Sequence, residues 1–318
     1  MNNTKNEYDV MVIGELNVDL ILNKINSFPE IGKEILASSM DLVLGSSSAI
    51  FACNLSSLGA KVAFIGKIGK DIFGDLVLST LKEKGVSIDF IIRDDKLKTG
   101  ATVVLNYDQD RANITHPGAM EHLSINDITI ESLQTAKHVH ISSIFLQPNL
   151  KKDVYEIFKM AKDAGLTTSL DVQWDPAEEW DVDLEKLLPY VDVFLPNEEE
   201  LKNLMKEDAL QNAIKKVSPH GNIIALKRGN KGSICIYKNK QNEVPPFLNT
   251  NVVDAIGAGD SFNAGFIFKY IRGSKINQCQ KFGNLTGAIN TTEAGGTAAF
   301  INFDHIMKIA VEKFNYAE

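Results

Sequence analysis

A glycine-rich turn near the end of the chain, within V-V-D-A-I-G-A-G-D-S-F-N-A-G-F at residues 252–266, places acidic residues beside small ones. The residues after the turn predict a helix over 259–272. Gly257 and Gly259 allow consecutive backbone N–H groups to point into one concavity, beside the positive end of the helix dipole. The sequence therefore predicts an anion hole that suits a phosphoryl group.

Asp260 lies in the first turn of that predicted helix, beside the anion hole. A carboxylate so close to a phosphoryl group is placed to accept a proton from an incoming hydroxyl. The turn thus predicts phosphoryl transfer, in which amides bind the transferred group and Asp260 activates its acceptor. The alternative is that Asp260 is an N-cap and that the glycines only form a tight turn.

Two common nucleotide signatures do not match the sequence. The chain contains no G-x-x-x-x-G-K-[ST], and G-A-G-D-S-F fails the dinucleotide fingerprint at its sixth position. The six histidines lack metal-ligand spacing, and His138 and His140 alternate on a predicted strand, which indicates a structural role. Since both nucleotide signatures are absent, phosphoryl transfer of the kind predicted above requires a nucleotide site that is neither a P-loop nor a dinucleotide fold.

Apolar strands alternate with helices along most of the chain. Strands are predicted at 8–16, 61–69, 138–142, 167–172, 191–197, 222–229 and 232–237. Helices are predicted at 48–60, 71–86, 150–164, 183–188, 197–206, 208–217, 259–272, 277–292 and 303–316. This alternation is typical of a mostly parallel central sheet covered by helices on both faces, in an α/β/α arrangement of three layers.

Two segments, 16–44 and 98–118, carry half-polar strands without helices between them. The second reads as a hairpin with Y-D-Q-D at its turn. We expect these segments to pair as a small β-sheet, which we call the lid, over the carboxyl ends of the parallel strands, where ligands bind in open α/β sheets. The main domain would then comprise 1–15, 45–97 and 119–318.

The bulk composition limits the class of protein. The 318 residues are 44% hydrophobic and 23% charged, with a formal net charge of −8, which is ordinary for a globular protein and argues against binding to nucleic acid or a membrane surface. No segment approaches the roughly 20 apolar residues of a membrane helix. The three cysteines, Cys53, Cys235 and Cys279, match neither a zinc site nor a disulfide framework, so we expect a cytoplasmic location.

Five motifs in the same order resemble the ribokinase-like (PfkB-type) carbohydrate kinase family over nearly the whole chain. They are G-E-L-N-V-D-L-I-L-N with F-P-E-I-G-K-E-I after it, G-K-I-G-K-D-I-F-G-D, L-P-N-E-E-E-L, A-L-K-R-G-N-K-G-S and D-A-I-G-A-G-D-S-F-N-A-G-F. The resemblance implies a ribokinase-like fold with a β-sheet lid. It also implies ATP-dependent phosphorylation of a hydroxyl group on a small sugar or sugar acid, with Mg²⁺ required.

The resemblance also assigns the site residues. It makes Asp260 the catalytic base and gives the anion hole to the amides of Gly257, Ala258 and Gly259. The sugar-contacting positions are Asn17, Asp19, Gly45 and Ser46. The ATP side comprises Asn197, Lys227, Gly229 and Asn284, with Glu200 near Mg²⁺ through water. Asp254 and the carbonyl of Ile256 match a site for a monovalent cation such as K⁺.

Simpler interpretations of some of these residues stay open. Asn17 and Asp19 would also suit a turn at a strand end, and N-E-E-E-L is typical of an acidic helix start. Lys227 would also be consistent with a solvent-exposed lysine, and Asn284 with an asparagine on a helix surface.

Three positions depart from the family pattern, and one of them is Ser46, which follows Gly45 where sugar kinases of the family usually have a second glycine. Ile50 stands where sugar kinases of the family usually have Asn, and Ala255 where they usually have Thr. The change at Ile50 removes a polar contact and leaves the identity of the substrate open, because buried polar recognition discriminates strongly between analogues. A nucleoside kinase of the same family and a non-catalytic sugar-binding protein are the alternatives. Since the lid forms the dimer contact in many relatives, we expect a homodimer through it.

Overall fold

The computed structural model describes residues 6–107, 110–238 and 240–316. These residues form the following strands: β1 (Tyr8–Ile13), β2 (Asn17–Asn23), β3 (Ser39–Leu44), β4 (Val62–Gly69), β5 (Ser87–Asp94), β6 (Gly100–Tyr107), β7 (Asp110–His116), β8 (Ala136–Ser142), β9 (Thr167–Asp171), β10 (Val193–Phe194), β11 (Ile223–Lys227), β12 (Ser233–Tyr237) and β13 (Lys240–Val244). Their α-helices are α1 (Ser47–Ser57), α2 (Ile72–Glu83), α3 (Ile130–Leu133), α4 (Pro148–Asp163), α5 (Leu184–Leu187), α6 (Glu198–Met205), α7 (Leu210–Val217), α8 (Ala258–Tyr270), α9 (Ile276–Asn290) and α10 (Phe303–Phe314).

A large sheet forms the centre of the main domain, with the strand order β13-β12-β11-β10-β9-β8-β1-β4-β5. The strands from β11 to β5 are all parallel to their neighbours, and β12 and β13 add an antiparallel edge. Because the parallel strands point the same way, their carboxyl ends meet at one edge of the sheet, where ligands bind in this class of fold.

Helices cover both faces of this sheet. Successive residues of a strand point to opposite faces, and on β1 the side chains of Val10 and Val12 pack in one hydrophobic cluster while Met11 and Ile13 pack in another. The first cluster includes residues of α1, α2, α8, α9 and α10, and the second includes residues of α3, α4, α5, α6 and α7. The predicted three layers are therefore present.

A separate sheet has the strand order β3-β2-β6-β7, in which β2 and β6 are parallel and the outer pairs are antiparallel. All four strands lie inside the two segments predicted to form the lid, although the domain boundaries themselves stay a prediction. The tip of the predicted hairpin, Asp108 and Gln109, lies outside the described residues.

Two edge strands differ from the sequence prediction, which contained neither β5 nor β13. The side chains of β5 are half-buried or exposed, and those of β13, K-Q-N-E-V, are nearly all exposed. An edge strand with one solvated side lacks the continuous apolar run that identifies a central strand. Among the described residues, every helix is too short or too polar to cross a bilayer.

Candidate active site

A cleft of about 760 Å³ lies between the lid and the carboxyl ends of the parallel strands. Residues that follow or end β1, β9, β10 and β11 line one side, and residues of β2, β6 and β7 line the other. The predicted site residues that line it are Asn17, Asp19, Ser46, Asn197, Glu200, Lys227, Gly229, Ile256, Gly257, Ala258, Gly259, Asp260 and Asn284. The predicted residues Gly45 and Asp254 lie outside the lining and contact residues within it.

The predicted anion hole lies at the start of α8. Gly257 is the N-cap residue with φ 75°, a conformation that favours glycine, and an added Cβ would lie 2.7 Å from the Cα of Gly296. The N–H of Ala258 donates to the carbonyl of Ala255 over 3.3 Å, whereas the N–H groups of Gly257 and Gly259 have no acceptor among the described residues. Free amides at a helix N-terminus bind anions.

Asp260 is the third residue of α8 and lines the cleft with 8% of its surface exposed. Its Oδ1 accepts a hydrogen bond of 2.9 Å from Nε2 of Gln173. Because Gly257 is the N-cap, the alternative in which Asp260 caps the helix is wrong. Burial raises the pKa of Asp260 well above its ordinary value; the carboxylates of Asp171 and Glu15 raise it further, and Lys227 opposes them.

Two of the predicted sugar-contacting residues, Asn17 and Asp19, lie on β2, on the lid side of the cleft. Asn17 donates from Nδ2 to Oδ1 of Asp19 over 3.0 Å and to Oγ1 of Thr102 over 3.1 Å. Gly45 leaves room for this pair, because an added Cβ would lie 2.3 Å from Oδ1 of Asp19. Burial raises the pKa of Asp19 to about 6, although the bond from Asn17 and the charge of Arg111 lower it.

Residues at the start of α1 also line the cleft. Ser46 is its N-cap and adopts φ 69°, the left-handed region where the family pattern has glycine. Its hydroxyl donates to the carbonyl of Glu15 over 2.6 Å and accepts from the N–H of Ala49 over 2.9 Å. Ile50 packs against the Cα atoms of Gly257 and Gly296, since an added Cβ at either glycine would lie within 3.1 Å of its side chain.

Glu200 and Asn197 form a capping box at the start of α6. The Glu200 carboxylate accepts from both the backbone N–H and the side-chain amide of Asn197, over 2.8 and 2.6 Å. Burial raises the pKa of Glu200 to about 7; the Asp171 carboxylate raises it as well, and Lys227 lowers it. Both residues line the cleft, so a role near Mg²⁺ stays open beside this capping role.

A buried ion pair that the sequence analysis did not identify links β9 and β11. Nζ of Lys227 donates to Oδ2 of Asp171 over 2.6 Å, and the Asp171 side chain is fully buried. The same Oδ2 accepts from Nδ2 of Asn263 over 2.5 Å and from Nε2 of Gln173 over 2.9 Å. Burial alone lowers the pKa of Lys227, but the neighbouring carboxylates, that of Asp171 above all, outweigh burial and raise it.

Two residues predicted on the ATP side, Gly229 and Asn284, also line the cleft. Gly229 adopts φ 54° in the turn after β11. Asn284 donates from Nδ2 to the carbonyls of Val244 and Pro245, over 3.2 and 3.0 Å. Asn284 therefore anchors the segment after β13, and its contact with ATP stays a prediction.

The predicted cation ligands are already bonded within the protein. Oδ1 and Oδ2 of Asp254 accept from the N–H groups of Ile256 and Gly295, each over 2.9 Å. The carbonyl of Ile256 accepts from Nδ2 of Asn290 over 2.6 Å. These bonds join the glycine turn to α9 and to the loop at 292–300, and they give no support to a bound K⁺, which stays a prediction.

Glu15, also missed by the sequence analysis, provides a prediction for the pH dependence of stability. Its carboxylate accepts bonds from the hydroxyl and the N–H of Ser48, and burial raises its pKa to about 7. The folded state thus binds this proton more tightly than the unfolded state, so the free energy of unfolding falls as pH rises from the ordinary glutamate range to about 7. The loss is about 3 kcal/mol at about 1.4 kcal/mol per pKa unit.

The variant Glu15→Gln removes this titrating group, so its stability should vary less than that of the wild type over this pH range. Urea unfolding between pH 5 and pH 8 measures the difference. The exposed Glu131 at the start of α3 provides the control Glu131→Gln, for which we expect the wild-type pH dependence. Equal slopes for wild type and Glu15→Gln would contradict the raised pKa.

A family model described as pfkB family carbohydrate kinase matches residues 8–302, and the chain belongs to that family. It is 32% identical to an uncharacterized sugar kinase of Archaeoglobus fulgidus over 234 residues, which cover 74% of this chain and 92% of that protein. It is 29% identical to a ribokinase of Lactococcus lactis over 261 residues, 81% of this chain and 82% of that one.

A solved Escherichia coli structure in complex with ATP and Mg²⁺ superposes with a TM-score of 0.83 at 25% identity, over 95% of this chain and 98% of that one. The predicted fold and the predicted class of enzyme, an ATP-dependent carbohydrate kinase, are confirmed. The assignment of individual residues to roles stays a prediction.

Proposed function

We propose that the cleft transfers the γ-phosphoryl group of ATP to a hydroxyl of a small sugar or sugar acid. The observation that carries this proposal is that one cleft contains a carboxylate, Asp260, beside free helix N-terminal amides and opposite the polar pair Asn17 and Asp19. Asp260 accepts the proton of the acceptor hydroxyl as the new P–O bond forms. The amides of Gly257 and Gly259 stabilise the charge on the transferred group.

The lid side of the cleft supports a sugar as the acceptor. The residues of β2, β6 and β7 that face the cleft are mainly polar or charged: Asn17, Asp19, Thr102, Arg111, Asn113 and Thr115, with the apolar Val104 among them. Amide, hydroxyl and carboxylate groups bind sugar hydroxyls by donating and accepting hydrogen bonds. Arg111 adds a positive charge, which suits the carboxylate of a sugar acid.

Mg²⁺ would bind on the nucleotide side. Within the described residues no group of three or more His, Cys, Asp and Glu side chains is arranged to bind a metal ion. This fits Mg²⁺ in nucleotide sites, which uses one or two carboxylates together with phosphate oxygens and water. Glu200, a buried carboxylate that lines the cleft, would take that part through water. When bound, the ion would neutralise charge on the phosphates.

A panel of acceptors tests the function. ADP formation is measured with ATP and Mg²⁺ against pentoses, hexoses, sugar acids and nucleosides, with and without chelation by EDTA. We expect turnover with a sugar or sugar acid and loss of turnover on chelation. Turnover with nucleosides alone would identify a nucleoside kinase, and saturable sugar binding without any phosphate transfer would identify a sugar-binding protein.

The outer face of the lid supports the predicted homodimer. Residues of the lid strands alternate between faces, and Met40, Leu42 and Ile114 lie on the face away from the cleft with 64%, 41% and 64% of their surface exposed. An exposed apolar face of this kind marks an interaction site. We expect a dimer in sedimentation equilibrium and a monomer for Ile114→Lys.

The control for the dimer is Val311→Lys on α10, where Val311 is exposed to a similar extent. It should leave the dimer intact. A monomeric wild-type protein, or a dimer unaffected by Ile114→Lys, would contradict this arrangement.

The location in a reducing cytoplasm also remains a proposal. It is supported by Cys53, Cys235 and Cys279, which are free and buried. Buried thiols without disulfides are typical of reducing compartments.

A further inference from the structure

Gln173 lies between two buried carboxylates, those of Asp171 and Asp260. It follows β9 by two residues, adopts φ 62° and lines the cleft. Its Nε2 donates to Oδ2 of Asp171 and to Oδ1 of Asp260, each over 2.9 Å. A carboxylate is acceptor-only when ionised, so an amide between two of them must present its nitrogen, and both N–H bonds of this amide are used.

Asp171 fixes the position of the amide. Its Oδ2 also accepts from Lys227 and Asn263, over 2.6 and 2.5 Å, and its side chain is fully buried. A group bonded to three donors in the protein interior keeps one orientation. The fixed carboxylate of Asp171 at the end of β9 therefore holds the amide of Gln173, which extends toward the first turn of α8.

The two oxygens of Asp260 consequently differ. Oδ1 is occupied by the bond from Gln173, whereas Oδ2 accepts no hydrogen bond from the residues that the structure describes. We propose that Gln173 is a positioning residue, which fixes the Asp260 carboxyl by Oδ1 and presents Oδ2 to the acceptor hydroxyl. This inference rests on the proposed function of Asp260 as the base.

The proton transfer then has a defined route. The hydroxyl oxygen forms a bond to the γ-phosphorus, the bond from that phosphorus to the bridging oxygen of ATP breaks, and ADP leaves with the electron pair. The hydroxyl proton moves to Oδ2 of Asp260, and the bond from Gln173 to Oδ1 is present before and after. A carboxyl that rotated freely would spend part of its time with neither oxygen aligned.

The charges around Asp260 add a second consequence. The carboxylates of Asp171 and Glu15 face it together with the ammonium of Lys227, and burial disfavours its charged form. The amide of Gln173 donates a hydrogen bond to the carboxylate of Asp260 and stabilises this charged form. Its loss should raise the pKa of Asp260 further and narrow the pH range in which the base is ionised.

Two variants test the inference. Gln173→Met keeps the length of the side chain and removes the donor. Gln173→Asn keeps the amide, shortens its reach by one carbon, and is well tolerated at positive φ, so it should fold even if the first variant does not. We expect kcat to fall by about 10- to 100-fold in both, since a misplaced reacting group loses on this order. KM values should change little, and the acidic limb of the kcat profile should move to higher pH.

The matched control is Gln241→Met on β13, where an exposed glutamine donates to the carboxylate of Glu243 outside the cleft. It should keep the wild-type kcat and pH profile. A readout without substrate is the titration of Asp260 by carboxyl ¹³C NMR, with Asp260→Asn identifying the resonance; its midpoint should be higher in Gln173→Met than in the wild type.

The variant Asp260→Asn distinguishes a failure of the proposed base, Asp260, from a failure of the proposed positioning residue, Gln173. If Asp260→Asn keeps wild-type turnover, the proposed base is wrong. If Asp260→Asn is inactive while Gln173→Met and Gln173→Asn keep the wild-type kcat, pH profile and Asp260 titration, the base stands and the positioning role is wrong. The double variant Asp260→Asn with Gln173→Met should lose no more turnover than Asp260→Asn alone, because Gln173 acts through Asp260; a further loss would overturn the inference.

Discussion

Asp260→Asn should lower kcat on the order of 10²- to 10⁴-fold, the range that general-base catalysis contributes. Asparagine has the same shape as aspartate but cannot accept the hydroxyl proton. The side chain lies beside the free amides of α8 and opposite the polar face of the lid, so the loss should fall on the chemical step. Steady-state kinetics with the sugar acceptor identified by the panel measures it, and KM for ATP should change little.

The same variant should not be less stable than the wild type. Because burial raises the pKa of Asp260, its charged form is unfavourable in the folded protein at neutral pH, and a neutral amide removes that penalty. A lower kcat with an equal or higher melting temperature is the pattern of a site whose function requires a destabilising group.

The control is Asp304→Asn in the first turn of α10. Asp304 occupies a similar place in its helix and is exposed. It should keep the wild-type kcat. A wild-type rate in Asp260→Asn would remove the base from the mechanism, and an equal loss in both variants would show that the effect is not specific to the cleft.

Local sequence was enough to predict the glycine turn and the central strands. Gly257 meets a physical requirement that few other residues satisfy, since its φ is 75° and an added Cβ there would lie 2.7 Å from the Cα of Gly296. Apolar runs such as that of β1 identify buried parallel strands for a similar reason. Such features are determined by residues that are adjacent in the chain, so a single sequence is enough to predict them.

Contacts between distant residues could not be predicted in this way. Gln173 and Asp260 are 87 residues apart, and Lys227 and Asp171 are 56 apart. Asp171 did offer a signal, because it is a charged residue at the end of an apolar strand, where parallel sheets place their sites. Its partners depend on how β9, β11 and α8 pack, and the solvated edge strands β5 and β13 likewise carry no local pattern of burial.

Lys227→Met should lower the free energy of unfolding by about 3–5 kcal/mol, because it leaves the carboxylate of Asp171 buried without its counter-ion. The ion pair has side-chain exposures of 10% and 0%, so the Asp171 carboxylate has no contact with solvent in the folded protein. The remaining donors, Asn263 and Gln173, are neutral and compensate only part of the charge. Urea unfolding measures the change.

The double variant Lys227→Met with Asp171→Asn distinguishes this cause from a general loss of packing. Removing both charges removes the unpaired one, so it should recover part of the stability lost in Lys227→Met, which is the behaviour of a buried pair. Lys159→Met breaks the exposed pair with Asp163, where the exposures are 44% and 68%, and should cost no more than about 1 kcal/mol. If Lys227→Met lowered the free energy of unfolding no more than Lys159→Met, Lys227 would not stabilise the Asp171 carboxylate. Asp171 could then not be the fixed group that orients the amide of Gln173.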